Sequence, residues 1–140
     1  MSTVTPAMEL VMALSSLQSQ LLKKIDQRLS AHGISFTEFM VMYQLDAAPN
    51  KTMRRIDLAE SVGLSASGVT RLLTPMEKIK LVQKQANPRD ARVSLVKLST
   101  TGEQVFGDAL VSFRESADFL LQALDAEQID KFLELSKLLH

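Results

Sequence analysis

"RIDLAESVGLSASGVTRLLT", residues 55–74, decides how the rest of this 140-residue chain is read. Leu58, Val62, Leu64, Val69 and Leu72 recur at spacings that put them on the facing sides of two short helices. Ala59 and Gly63 stand where a helix-turn-helix needs a small residue at the crossing and a glycine at the reversal. Ser65 is a good N-cap for the second helix, and Leu64 with Val69 has the spacing of a hydrophobic staple around it. Any helical hairpin needs such inward contacts, so the outward face discriminates. Ser67, Thr70, Arg71, Thr74 and Lys78 form that face at steps of three and four, and none is acidic. Hydroxyls and a guanidinium donate to base edges and phosphates, whereas a carboxylate there would repel a duplex. Small side chains at Ala66, Ser67 and Gly68 permit close approach at a helix start whose free N–H groups favour phosphate. They do so although Gly68 weakens the helix by about 1 kcal/mol relative to Ala.

Upstream, Leu10, Leu14, Leu17, Leu21, Ile25 and Leu29 predict a long amphipathic helix over residues 6–31, ended by Gly33. "SFTE" at 35–38 is a capping box with Ile34 and Phe39 as its staple, so a second helix starts at Ser35 and stops before Pro49. A third begins within residues 53–57, after a short extended piece at 52–54. Downstream of the helix-turn-helix, residues 81–85 and 92–98 read as two strands joined by "ANPRDA". A long helix follows from Ser99 or Thr100, with Thr100 and Glu103 as a possible capping pair, and Asp125 caps a last one. The expected fold is mainly α with a small β-hairpin wing.

The formal charge of zero hides a separation. Residues 49–98 hold ten basic against four acidic side chains, a net of +6, and the two flanks together carry −6. A basic middle on an acidic frame points to a polyanion partner. Arg54 and Arg55 at the start of the motif belong to this basic set. So do Arg89 and Arg92 in the hairpin tip, where an arginine can enter a narrow, electronegative minor groove. Asp90 between them is expected to hold an arginine by a bidentate contact and so set the shape of the loop.

The chain has no cysteine, and its two histidines, His32 and His140, lack companions at metal-ligand spacing, so no metal or other cofactor is expected. No nucleophile, base and orienting group stand at catalytic spacing, which argues against an enzyme. No run approaches the ~18 apolar residues of a membrane span. The first dozen residues lack the pattern of a secretory signal, and the reading is a soluble, cytoplasmic protein.

"FTEFMVMYQL", "RRIDLAESVGLSASGVTRLL", "MEKIKLV" and "NPRDARVSLVKLSTTG" resemble, in order, the successive blocks of the MarR (multiple antibiotic resistance regulator) family of winged-helix regulators. The wing block is the most specific, with Asp90 and Arg92 in an Asp-x-Arg pattern and a helix start near Gly102. The resemblance implies a homodimeric repressor that binds a pseudo-palindromic DNA site and is released by a small lipophilic or phenolic effector. Residues 65–74 would then lie in the major groove and Arg92 or Arg89 at the minor groove. Over residues 1–140 it implies a winged helix-turn-helix lobe at 34–98 and a helical dimerisation region made by 1–33 and 99–140. Two positions depart from the pattern: Pro75, where the family often has a basic or polar residue, and Lys80, where it often has glycine. Proline lacks an N–H and clashes with the carbonyl four residues back, so a kink or break is expected near residues 73–75. Lys80 must adopt or avoid the left-handed conformation that ends helices.

A dimer follows from the residues as well, because the first helix and the leucine-rich 119–139 stretch offer more apolar face than a winged core can cover. Two-fold symmetry would set two reading helices about one DNA turn apart, ~34 Å. Phe36, Phe39, Met40, Tyr43, Met53 and Phe113 are candidate walls for an effector pocket, although such residues at helical spacing also serve as core. Two alternatives remain at this point. One is a winged-helix DNA binder without an effector, and the other is a helical protein-interaction module that no longer binds DNA.

Overall fold

A computed structural model describes residues 3–140. Residues 1 and 2 of the expected 1–33 segment lie outside the described residues. Helix α1 spans Pro6–Leu29, with Thr5 as N-cap and Pro6 at its first position, where a missing N–H costs nothing. A 3-10 turn, Ser30–His32, carries it to Gly33, whose φ of 74° reverses the chain. Helix α2, Phe36–Ala47, starts at the expected capping box: Ser35 Oγ accepts from Glu38 N, and Ser35 N donates to Glu38 Oε1 at 2.8 Å. Phe36 N also donates to Asp26 Oδ1 at 2.7 Å, which ties α2 to the last turns of α1.

Strand β1, Thr52–Arg54, leads into helix α3, Arg55–Val62, which Gly63 ends at φ 71°. Helix α4, Ala66–Lys78, is capped by Ser65, whose Oγ accepts from Gly68 N at 3.1 Å. Strands β2, Val82–Ala86, and β3, Ser94–Leu98, form the hairpin. The antiparallel sheet has the order β1-β3-β2, with Met53 opposite Val96 and Val82 opposite Leu98. Helices α5, Thr100–Leu120, and α6, Ala126–Lys137, complete the chain, and Asp125 and Gln128 form a second capping box at the start of α6. The mainly helical architecture with a small hairpin wing is therefore as expected.

One core joins α1 to α5 and the sheet. Leu45, Leu58, Leu73, Met76 and Val96 are fully buried in it, and Phe39 packs against the tilted rings of Phe113 and Phe106 at ring distances of 4.8 and 5.3 Å.

Three details differ from the sequence reading or complete it. Pro75 does not break α4, which runs continuously to Lys78. Leu73 and Met76, fully buried on either side, anchor the helix, while Arg71, whose carbonyl loses its helix partner to the proline, lies on the exposed face. Lys80 takes the left-handed conformation, φ 64°. Lys80 N donates to Glu77 O at 3.1 Å and Leu81 N to Met76 O at 2.9 Å, the paired bonds of a Schellman ending made without glycine. Finally, Ser99 rather than Thr100 caps α5: its Oγ accepts from Gly102 N at 2.9 Å and donates to Leu81 O. That cap draws the start of α5 against the end of α4, and a Cβ on Gly102 would overlap the Leu81 carbonyl. The glycine is required by this close approach, not by its dihedral angles.

Candidate nucleic-acid interface

The orientation of α4 follows from its inner side. Val69, Leu73 and Met76 are buried, which turns Ser67, Thr70, Arg71, Thr74 and Lys78 to solvent. Ala66 is exposed beside Ser67, and Pro75 completes the same open face next to Arg71 and Thr74. Ser65 is exposed at the cap. Gly68 is placed differently: it is half-buried, and a Cβ there would stand 3.2 Å from Ser65 Oγ and 3.5 Å from Leu64 Cβ. It turns toward the cap, not toward the open face.

The basic residues fall into two groups. Arg54, Arg55 and Arg92 are engaged by carboxylates. Arg54 Nε and Nη2 donate to Asp57 at 2.9 and 3.0 Å, and this contact holds the Asp57 carboxyl below the usual carboxylate range. Arg55, only 18% exposed, donates to Glu77 Oε1 and to Thr70 Oγ1, each at 3.3 Å, and so fastens the start of α3 to α4. Arg92 Nε and Nη2 donate to Asp90 at 3.1 and 3.3 Å, and the Arg92 backbone N–H donates to the same carboxylate at 3.0 Å. These contacts, the side-chain one foremost, hold the Asp90 carboxyl below its usual range. The Arg92 side chain is nevertheless 92% exposed, so it is aimed without being covered.

Arg71, Lys78, Lys84 and the Arg89 guanidinium make no hydrogen bond or ion pair among the described residues. They supply uncompensated positive charge along α4 and the wing. The hairpin tip, residues 87–92, is exposed except for Asn87 and Asp90, which are half-buried. Asn87 Oδ1 accepts from Arg89 N at 2.9 Å, and Asp90 Oδ1 from Arg92 N, so each carboxamide or carboxylate bends the loop by a local turn.

The six candidate pocket residues do not share one cavity. A cavity of about 600 Å³ opens between α1, α2 and α3, and of the six only Phe36 and Met40 line it. Phe39 is buried in the core, where its ring stacks with Phe36, and the Phe113 ring packs at a tilt against both. Tyr43 is 48% exposed, and Met53 lies in β1. The walls that sequence reasoning missed are Leu14, Leu17, Leu21, Leu22, Ile25 and Val62, with Gln18, Thr37 and Ser61 as the polar groups. The leucine repeat of α1 was the available signal for them, and it reads equally as an oligomer face. No charged side chain lines this cavity. Among the described residues there is no His, Cys, Asp and Glu cluster fit to hold a metal, and no helix is long and apolar enough to cross a membrane.

A family model described as MarR family matches residues 34–94. The chain is 24% identical over 121 residues to the transcriptional repressor MprA of Escherichia coli (strain K12), a match covering 86% of this chain and 69% of that protein. A mutant MarR from E. coli complexed with operator DNA superposes with a TM-score of 0.89 at 19% identity, covering 99% of each chain. The PcaV transcriptional regulator from Streptomyces coelicolor, in complex with its natural ligand, gives a TM-score of 0.86 at 22% identity over 99% of this chain and 96% of that one.

Proposed function

This chain belongs to the MarR family, and from that premise we propose that it is a homodimeric, sequence-specific repressor of transcription that releases double-stranded DNA when a small apolar effector binds. The observation that carries the proposal is the open face of α4. It presents Ser67, Thr70, Arg71, Thr74 and Lys78 with no carboxylate, beside a wing whose Arg92 is aimed by Asp90 and whose Arg89 is uncompensated. Ser65, Ala66 and Ser67 bring the helix start to base edges and phosphates, and the wing arginines reach the adjacent minor groove. Arg54 and Arg55 act differently. Arg54, paired with Asp57, is held at the start of α3, and Arg55, paired with Glu77, holds α3 and α4 in register for reading; so paired, both add little net charge.

Dimerisation is supported by what the single chain leaves uncovered. Helix α6 buries none of its residues, the first fifteen residues of α1 are exposed, and Leu138 is 80% exposed. In this reading residues 34–98 are the DNA-binding lobe, while 1–33 and 99–140 interlock with a second copy, in the cytoplasm where DNA is available. The effector would enter the cavity beneath α1, where Phe36 and Met40 meet the α1 leucines at the junction of lobe and dimerisation region. A lining with no charged group favours a neutral, lipophilic molecule. Selection of bound duplexes from random DNA tests the proposal: an enriched inverted repeat supports it, and enrichment of no sequence overturns it.

A further inference from the structure

Two of the hydroxyls on the open face of α4 have no hydrogen to offer a base. Thr70 Oγ1 donates to Ala66 O at 3.1 Å and Thr74 Oγ1 to Thr70 O at 2.8 Å, the back-bonding that helical threonine favours. Thr70 Oγ1 also accepts from Arg55 Nη2, so one of its lone pairs is taken too. Ser67 Oγ shares a hydrogen bond with the capping Ser65 Oγ at 3.2 Å. With Oγ1 turned back on the preceding turn, each threonine methyl occupies a different staggered position. Ala66 and the Pro75 ring border the same open surface. Within this patch Arg71 is the polar side chain with all its donors uncommitted among the described residues.

In the major groove, thymine alone presents a methyl group, and guanine presents the N7 and O6 pair that a guanidinium grips with two bonds. We propose that α4 selects its half-site mainly through thymine C5-methyl groups packed against Ala66, Thr70, Thr74 and Pro75, with Arg71 reading a single guanine. This specificity rests on the DNA-reading role proposed for α4. Pro75 gains a part in it: a ring on the reading face adds apolar surface and no polar group that must be satisfied.

The test starts from the duplex selected out of random DNA, with each thymine replaced in turn by deoxyuridine and each guanine by 7-deazaguanine. Loss of one covered methyl is expected to weaken binding about fourfold. Loss of the guanine N7 facing Arg71 is expected to weaken it about tenfold. Thr74→Val, which keeps a methyl and removes the hydroxyl, should retain the thymine preference, and Thr74→Ser should lose it. Unchanged affinity with deoxyuridine at every thymine, or a preference kept by Thr74→Ser and lost by Thr74→Val, overturns the proposal. A selection that enriches nothing removes the DNA-reading role itself, so the two failures are distinguishable.

Discussion

At the scale of single residues, Asp90 and Arg92 show how a carboxylate can serve a surface meant for polyanions. An isolated Asp in the wing would repel phosphate, but this one accepts three hydrogen bonds from Arg92 and fixes where that guanidinium points. Asp90→Ala is therefore expected to lower DNA affinity several-fold with little change in melting temperature, checked by binding titration beside thermal unfolding. Arg92 lowers the Asp90 pKa, so the clasp contributes fully above the ordinary Asp pKa of about 3.9 and is lost only as pH falls through the depressed folded value. Carboxyl chemical shifts followed by NMR should thus place Asp90 titration below that of exposed aspartates, and Arg92→Gln, which removes the side-chain contact and keeps the backbone one, should raise it toward the ordinary range. Gly102 and Lys80 make opposite demands on the backbone. Gly102→Ala forces a Cβ into the Leu81 carbonyl and is expected to cost about 3 kcal/mol, seen as a fall of roughly 10 °C in Tm. Lys80→Gly relieves a left-handed lysine and is expected to add about 1 kcal/mol.

At the scale of elements, the legible parts were those whose chemistry is local. Ser35 with Glu38, Gly33, Gly63 and the Ser65 cap act within four residues of themselves, and each boundary they mark was readable before any packing was known. The break expected at Pro75 does not form, for the complementary reason. Its local cost is fixed by the proline ring, but the outcome is set by the burial of Leu73 and Met76, which hold the helix through it, and burial is a property of the whole fold. The Ser99 cap was likewise hidden, because Ser99 and Thr100 are equivalent in sequence and the Lys80 and Leu81 carbonyls across the lobe choose between them. The commitment of Arg55 to Glu77 depends in the same way on where α3 meets α4. Pro75→Ala restores a donor to the Arg71 carbonyl and should stabilise α4 by up to ~3 kcal/mol, measurable by denaturant unfolding.

At the scale of the whole molecule, the most informative surface is the one that has no neighbour within the chain. Leu133, Leu135, Leu138 and Leu139 near the C-terminus, and Leu10, Leu14 and Leu17 on α1, are each at least 40% exposed. An apolar surface so extended is more than a soluble monomer ordinarily leaves open, and a second copy removes it from water. Leu135→Glu is expected to shift sedimentation from dimer to monomer at micromolar concentration, and a wild-type chain that sediments as a folded monomer there would contradict the dimer. The cavity beneath α1 shows why the proposed effector site was only half legible: the leucines that wall it carry the same helical period whether they meet a partner, a core or a ligand.

DNA reading by α4 is tested most directly by comparing the affinity of wild type and Arg71→Ala for a selected inverted-repeat duplex and for a scrambled one over a range of salt. Arg71→Ala is predicted to lose about tenfold of the preference for the selected duplex, the share its single guanine supplies, while both proteins keep similar salt-dependent binding to the scrambled one. Equal losses on the two duplexes, with the preference intact, would contradict the assignment of α4 as the element that reads sequence.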